Sequence, residues 1–218
     1  MNKSITFSLV LLITVLIGCS SPLRITNEDQ FFSPPAPPMK EPMRLGITSS
    51  SDVHVQNSKY VTAIVDALQR SASFGKVIHP YNASVHGDQV DTVINISVNP
   101  HYSGDGLNFI VSWPGFLIWA PAIWGYGYDA EIETTVNITQ LKNGSQQITV
   151  PTRYTFRQAE MDRTWAAEMG WFFWTATALI NGIFVTQYDT DVTDEFITKV
   201  SSSYGPYVAQ KIEAALQH

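Results

Sequence analysis

The chain has 218 residues and carries 13 Lys and Arg against 19 Asp and Glu, a formal net charge of −6. This acidic balance, with no block of like charges, argues against a nucleic acid partner, because phosphate recognition needs clustered Lys and Arg. The single cysteine excludes an internal disulfide. The length suits one domain with a substantial core.

The amino-terminal end carries a short apolar run. After Lys3, the 14 residues from Ile5 to Gly18 contain no charge. A bilayer span needs about 20 apolar residues, so this run is too short to cross a membrane and instead predicts a secretory signal peptide over residues 1–18. We therefore expect the chain to leave the cytoplasm.

Cys19 directly follows this run. The stretch Leu16-Ile17-Gly18-Cys19 resembles the lipobox of bacterial lipoproteins. The resemblance implies cleavage before Cys19, lipidation of its thiol, acylation of the new amino terminus, and hence a membrane anchor. Ser20 is similar to the sorting signal for the outer membrane, facing the periplasm, whereas aspartate at that position would indicate inner-membrane retention. The alternatives are a chance thiol behind an ordinary cleaved signal and a buried structural cysteine.

A proline-rich stretch follows the lipobox. Half of the chain's 12 prolines lie between Ser20 and Pro42. Such composition favours extended polyproline II at about 3.1 Å per residue. It predicts a lipidated tether over residues 19–42, with a docking motif for a proline-binding partner as the alternative. Residues 43–218 are then predicted to form a single periplasmic domain.

The predicted domain opens with a strand, a helix and a second strand, the order typical of parallel pairing. Arg44–Thr48 is the first strand candidate. Apolar residues recur at three- and four-residue spacing from Tyr60 to Leu68, which predicts an amphipathic helix that is stopped by Gly75. The stretch Val77–Pro80 predicts the second strand.

Two-residue alternation predicts three longer strands. Apolar and polar residues alternate in Val90–Val98, Tyr128–Ile138 and Ile148–Phe156. The last two strands are predicted to form an antiparallel hairpin. One-sided burial selects a three-residue loop, 142–144, with Gly144 in the left-handed conformation.

All six tryptophans fall in two segments. The first, Trp113–Trp124, has no charge, and its Pro114 and Pro121 oppose a continuous helix or central strand, which predicts an irregular apolar loop. The second segment predicts a helix over residues 165–185, which at about 32 Å is long enough to cross hydrocarbon.

Three interpretations of these segments stay open. The loop packs on the helix inside the domain, or the two form an exposed patch that docks a partner or lies at lipid headgroups, or the helix spans a membrane. A span conflicts with export to the outer membrane. The candidate partner or ligand surface comprises Trp113, Phe116, Trp119, Trp124, Trp171 and Trp174.

The carboxyl-terminal part begins with an acidic stretch, Tyr188–Glu195. It lacks the glycine and the distant glutamate of a calcium loop, and helix capping by Asp191 or Thr193 explains it better. A helix is predicted from Phe196 to Leu216, with a kink or restart at Gly205-Pro206.

These elements predict an α+β fold, a mainly antiparallel twisted sheet with one early helix and C-terminal helices packed on it. We expect that the chain is not an enzyme and has no cofactor. We also expect no metal site, because the five histidines are scattered without a pair at metal-ligand spacing. The chain is similar to small outer-membrane lipoproteins, which implies an accessory role in binding or assembly with an envelope protein partner. The alternatives are a carrier that holds a lipid or other apolar ligand in an aromatic-lined pocket and a hydrolase with an unrecognised site.

Overall fold

A computed structural model describes residues 23–32, 41–49, 55–112, 114–118, 120–140, 144–159 and 186–217. The signal peptide predicted over 1–18 and Cys19 lie outside these residues. The same holds for residues 33–40 of the predicted tether and for the helix predicted over 165–185.

The strands and helices are bounded as follows. The strands are β1 (Arg24–Ile25), β2 (Met43–Ser49), β3 (Phe74–Ile78), β4 (Thr92–Gly104), β5 (Tyr126–Gln140) and β6 (Gly144–Gln158). The α-helices are α1 (Val55–Arg70), α2 (Ala83–His86), α3 (Asn108–Ser112), α4 (Ala120–Ile123) and α5 (Thr193–Leu216). Turns of 3-10 helix lie at Glu28–Phe31, Gly87–Gln89, Gly115–Ile118 and Thr190–Val192.

Within the described residues, six strands form a mostly antiparallel open sheet in the order β1-β6-β5-β4-β2-β3. Strand β2 pairs in parallel with both β3 and β4, so that Leu45 lies opposite Val77 and Thr92. The predicted α+β class and the parallel opening are confirmed. Helix α1 ends at Arg70, whereas Gly75, predicted to stop it, lies inside β3.

The predicted alternation is confirmed by burial along the two longest strands. In β5 the even-numbered residues from Tyr128 to Ile138 are all buried, and in β6 Val150, Thr152, Tyr154 and Phe156 are buried. Gly144 has φ +98°, the left-handed conformation predicted for the hairpin. The other two residues of the predicted loop, 142 and 143, lie outside the described part of the chain.

The Cα positions group into two compact units. Of the described residues, the first unit comprises 23–26, 102–112, 114–118, 120–129, 155–159 and 186–192, and the second comprises 27–32, 41–49, 55–101, 130–140, 144–154 and 193–217. Strands β4, β5 and β6 contribute residues to both units. The single domain over residues 43–218 stays a prediction.

In the second unit, helix α5 packs on β5 and on α1. Tyr204 of α5 shares a 2.6 Å hydrogen bond with the hydroxyl of Thr134, and its ring meets that of Tyr60 edge-on at 5.2 Å. A Cβ at Gly205 would lie only 2.3 Å from the carbonyl oxygen of Ala63, so glycine permits this close helix crossing. Of the two alternatives predicted at Gly205-Pro206, the restart is wrong, because α5 continues through Pro206, and the kink stays a prediction.

Residues 23–32 differ from the extended spacer predicted for them. Thr26 donates its N–H to the Thr155 carbonyl at 2.8 Å, beside the short pairing of β1 with β6. Leu23 and Phe31 are buried, with exposed fractions of 2% and 7%. The tether was predicted from its prolines, and residues 23–32 contain none. Burial of apolar side chains therefore decides their structure.

Candidate functional site

Part of the first unit exposes large apolar side chains. Five of them are more than half exposed: Leu107 at 58%, Ile110 at 57%, Ile118 at 59%, Ile123 at 63% and Trp124 at 56%. We call these five side chains the 107–124 surface. Isolated exposed apolar residues are common, but a concentration of them in one short segment is typical of an interaction site.

Short helical turns carry this surface. Helix α3, the 3-10 turn Gly115–Ile118 and helix α4 pack on one another. The irregular loop predicted here is therefore wrong in its local structure. Pro121 lies in the first turn of α4, where its missing N–H removes no helical hydrogen bond. A Cβ at Gly115 would lie 2.6 Å from the Ile110 carbonyl oxygen, so this close packing of turns needs glycine.

A buried amide fixes the segment to the sheet. Asn108 is 1% exposed, and its side chain forms two hydrogen bonds with the backbone of Gly127 in β5. Its Nδ2 donates to the Gly127 carbonyl at 2.8 Å, and its Oδ1 accepts from the Gly127 N–H at 2.6 Å. Asp105 adds its own N–H to the Gly127 carbonyl at 2.9 Å. The Asn108 side chain thus replaces a strand partner at the start of β5.

Aromatic rings form the described core of the same unit. Tyr188 stacks on Tyr102 with ring centroids 4.8 Å apart and meets Tyr128 edge-on at 5.5 Å. Phe156 lies 5.3 Å from Tyr128. Such offset and edge-on pairs contribute about 0.5–1.5 kcal/mol each beyond their area burial. These rings join the ends of β4, β5 and β6 to Tyr188 within the first unit.

The 107–124 surface is apolar and lies in a stretch without charged residues. Between Asp105 and Asp129 the sequence contains no Asp, Glu, Lys, Arg or His. Across the described ranges, no group of three His, Cys, Asp or Glu side chains is placed to hold a metal ion. The described part of the segment therefore presents apolar contact area.

The structure describes few of the predicted site residues. Trp124 is exposed and belongs to the 107–124 surface, and the backbone of Phe116 lies in the 3-10 turn. The others lie outside the described residues: Cys19, Trp113, Trp119, Trp171 and Trp174. The predicted surface as a whole stays a prediction.

The three interpretations of the tryptophan segments are affected differently. The exposed side chains are those that a docking surface requires, whereas Ala120 and Pro121 are buried as the core interpretation expects. Of the helices that the structure describes, none is both long enough and apolar enough for a membrane span. Residues 165–185, which take part in all three interpretations, lie outside the described part of the chain, so all three stay open.

Sequence reasoning missed the residues that hold the segment in place. Asn108 was unremarkable as one polar residue in an apolar stretch, although a lone amide there is a signal for a buried backbone partner. Gly125 has φ +72°, and a Cβ on it would lie 2.7 Å from the Gln158 carbonyl. Only the fold brings Gln158 to that position.

Comparisons with known proteins give a weak likeness in fold. No protein-family model matches the chain, and no curated protein matches it. The rare lipoprotein B of Shewanella oneidensis superposes with a TM-score of 0.34 at 11% identity, covering 80% of this chain and 99% of that one. A PelC dodecamer from Paraburkholderia phytofirmans gives 0.34 at 9% identity, covering 86% and 95%. A minor lipoprotein from Acinetobacter baumannii gives 0.29 at 8% identity, covering 76% and 94%. TM-scores this low carry no argument about function.

Proposed function

We propose that this chain is a lipid-anchored protein of the bacterial cell envelope that binds a protein partner through the 107–124 surface. The observation that carries the proposal is the concentration of five exposed apolar side chains in a segment without charge. The sequence Leu16–Cys19 supports the anchor, and Ser20 supports the outer membrane, facing the periplasm. The role is that of an accessory in binding or assembly.

The composition of the segment favours a protein over a lipid surface as the partner. Peripheral binding to anionic lipid draws on Lys and Arg beside the apolar residues. The segment between Asp105 and Asp129 contains neither. The central region of a protein interface, by contrast, is depleted in charge and enriched in aromatic residues. Trp124, on the last turn of the segment, is the side chain type most often found to dominate such interfaces.

The size of the expected effect follows from the exposed area. A tryptophan buries about 150–250 Å² in a core or interface, at about 25 cal/mol per Å². Trp124 is 56% exposed, so roughly 80–140 Å² is available to a partner. This area corresponds to about 2–3.5 kcal/mol. Loss of that contact would weaken binding by a factor of roughly 30–300.

The experiment places a photo-crosslinking amino acid at position 118 or, in a separate variant, at position 123 of the full-length lipidated chain, so that Trp124 stays in place. We expect a discrete crosslinked protein from both positions, and a matched probe at Val85, which is 65% exposed in the second unit, should not capture it. Trp124→Ala should abolish the crosslink from position 123, whereas Val85→Ala should leave it unchanged. Equal capture from position 85, or an unchanged yield with Trp124→Ala, would refute the proposal.

A second arm separates protein from lipid. The soluble form, made without its first 19 residues, is sedimented with vesicles of phosphatidylethanolamine and phosphatidylglycerol. We expect no binding that depends on Trp124. Co-sedimentation that Trp124→Ala abolishes would assign the surface to the headgroup region instead.

The anchor is tested separately. Metabolic labelling with palmitate should mark the wild-type chain, and Cys19→Ser should abolish the label and release the protein from membranes. Sucrose-gradient fractionation should find the labelled protein with the outer membrane. Label on the Cys19→Ser variant, or a protein that is soluble with Cys19 present, would contradict the lipid anchor.

A further inference from the structure

A cavity of about 710 Å³ lies within the second unit, away from the 107–124 surface in sequence. Its volume is within the range of small-molecule sites, about 300–1,000 Å³. The end of α1, the turn after it, one face of α5 and the 3-10 turn near residue 31 supply the walls. The lining residues that matter are Phe31, Phe32, Arg70, Ser73, Tyr207 and Glu213.

Glu213 places a carboxyl group on the wall of this cavity with little access to bulk water. The residue is 7% exposed, and its Oε2 accepts a hydrogen bond from the hydroxyl of Ser73 at 3.2 Å. No Lys, Arg or His of the described residues lies within ion-pair distance of it. A carboxyl group has more than one acceptor site, so this one retains capacity for a donor inside the cavity. A buried carboxylate gains most from a donor that carries positive charge.

Arg70 provides the opposite charge on the same cavity. Its Nε donates to the Asp66 carbonyl at 3.1 Å, which holds the guanidinium at the end of α1. Within the described ranges no carboxylate forms an ion pair with it, and it does not pair with Glu213. A guanidinium binds carboxylates in a fork of parallel hydrogen bonds. Two opposite charges on one cavity that do not pair with each other suit a ligand that carries both charges.

Aromatic rings supply the apolar part of the lining. Phe31 meets Tyr207 edge-on with centroids 5.3 Å apart, and Phe32 is 63% exposed. Lys211 already places its Nζ 5.2 Å from the centroid of the Tyr207 ring, so this ring takes a cation in the structure itself. These rings can cover a ligand's apolar group and favour an ammonium group beside it.

We propose that this cavity binds a small zwitterion of the amino acid class, with its ammonium group at Glu213, its carboxylate at Arg70 and an apolar side chain against the aromatic rings. The site lies outside the 107–124 surface and is independent of the protein-binding function proposed above.

The test measures the affinities of three probes of similar size for the full-length chain in detergent by titration calorimetry. L-phenylalanine carries both charges, 2-phenylethylamine lacks the carboxylate, and 3-phenylpropanoate lacks the ammonium group. We expect phenylalanine to bind at least about tenfold more tightly than either analogue, since a hydrogen bond to a charged group is lost in each. Absence of phenylalanine binding up to its solubility limit would overturn the proposal, and so would equal affinity for all three probes.

Two variants assign the charges. Glu213→Gln should weaken the binding of phenylalanine and 2-phenylethylamine and leave that of 3-phenylpropanoate unchanged. Arg70→Gln should weaken the binding of phenylalanine and 3-phenylpropanoate and leave that of 2-phenylethylamine unchanged. Glu195→Gln, which removes an exposed acid from the same helix, is the matched control and should change none of the three affinities. If both cavity variants bind phenylalanine like the wild type, the assignment is wrong. Thermal unfolding verifies that each variant is folded, and the three-probe comparison on the unchanged chain stands without them.

Discussion

Replacement of Asn108 by alanine tests how the 107–124 segment is held to the sheet. The substitution removes the bond from Nδ2 to the Gly127 carbonyl and the bond from the Gly127 N–H to Oδ1. The Gly127 carbonyl still accepts the N–H of Asp105 at 2.9 Å. The carbonyl therefore loses only one hydrogen bond, at a cost of about 1 kcal/mol. The Gly127 N–H is buried and loses its side-chain acceptor, which costs about 1–3 kcal/mol. We expect Asn108→Ala to destabilise this attachment by about 2–4 kcal/mol.

Native-state hydrogen exchange at the Gly127 amide measures this cost directly. A loss of that size accelerates exchange by a factor of roughly 30–700. Asn82→Ala is the matched control, because Asn82 caps the exposed helix α2 by accepting the Ser84 N–H at 3.0 Å. Its loss should cost about 1 kcal/mol locally and leave Gly127 unchanged. Unaltered protection of Gly127 in Asn108→Ala would show that the amide is not what anchors the segment.

Two further predictions concern backbone conformation and pH. Gly125→Ala should lower the free energy of unfolding by more than about 1 kcal/mol, because φ is +72° and the new Cβ would approach the Gln158 carbonyl to 2.7 Å. Gly87→Ala, with φ −49° and open space around it, should be neutral or stabilising in the same urea titration; equal effects would contradict the argument. Burial raises the pKa of Tyr154 above the ordinary value of 10.0. Above pH 10 the unfolded state loses the Tyr154 proton while the folded state still holds it. The stability that the neutral phenol contributes is therefore fully present below pH 10, and the free energy of unfolding falls as the pH rises beyond it. Tyr154→Phe should remove the part of the stability loss at alkaline pH that comes from this residue. Spectroscopic titration of the Tyr154 phenol itself near pH 10 would show that burial does not shield the group.

Local sequence patterns predicted much of the second unit, because the spacing of apolar residues distinguishes its strands from its helices. The even-numbered residues of β5 are buried as their two-residue alternation predicts, since a strand places alternate side chains on opposite faces. Gly144 takes the left-handed conformation that one-sided burial demanded of the hairpin. The acidic residues Asp194 and Glu195 occupy the first turn of α5, where the helix dipole favours them.

Long-range contacts decided the features that were predicted wrongly. Gly205-Pro206 suggested an interrupted helix, but the glycine serves a close crossing of α5 over Ala63, more than a hundred residues earlier in the chain. Leu23 and Phe31 lie in a predicted spacer because prolines flank them on both sides, although both side chains are buried. The amino-acid composition of a segment indicates neither the close helix crossing at Gly205 nor the burial of Leu23 and Phe31.

The sequence by itself determined strands β2 to β6, helices α1 and α5 and the apolar character of the tryptophan segments, because periodicity and composition are properties of neighbouring residues. Only the tertiary structure decided which apolar side chains of segment 107–124 remain exposed. It also brought Arg70 and Glu213, 143 positions apart by their numbers, to the walls of one cavity. Burial and proximity depend on residues that are distant in the chain, and no local pattern encodes those distances.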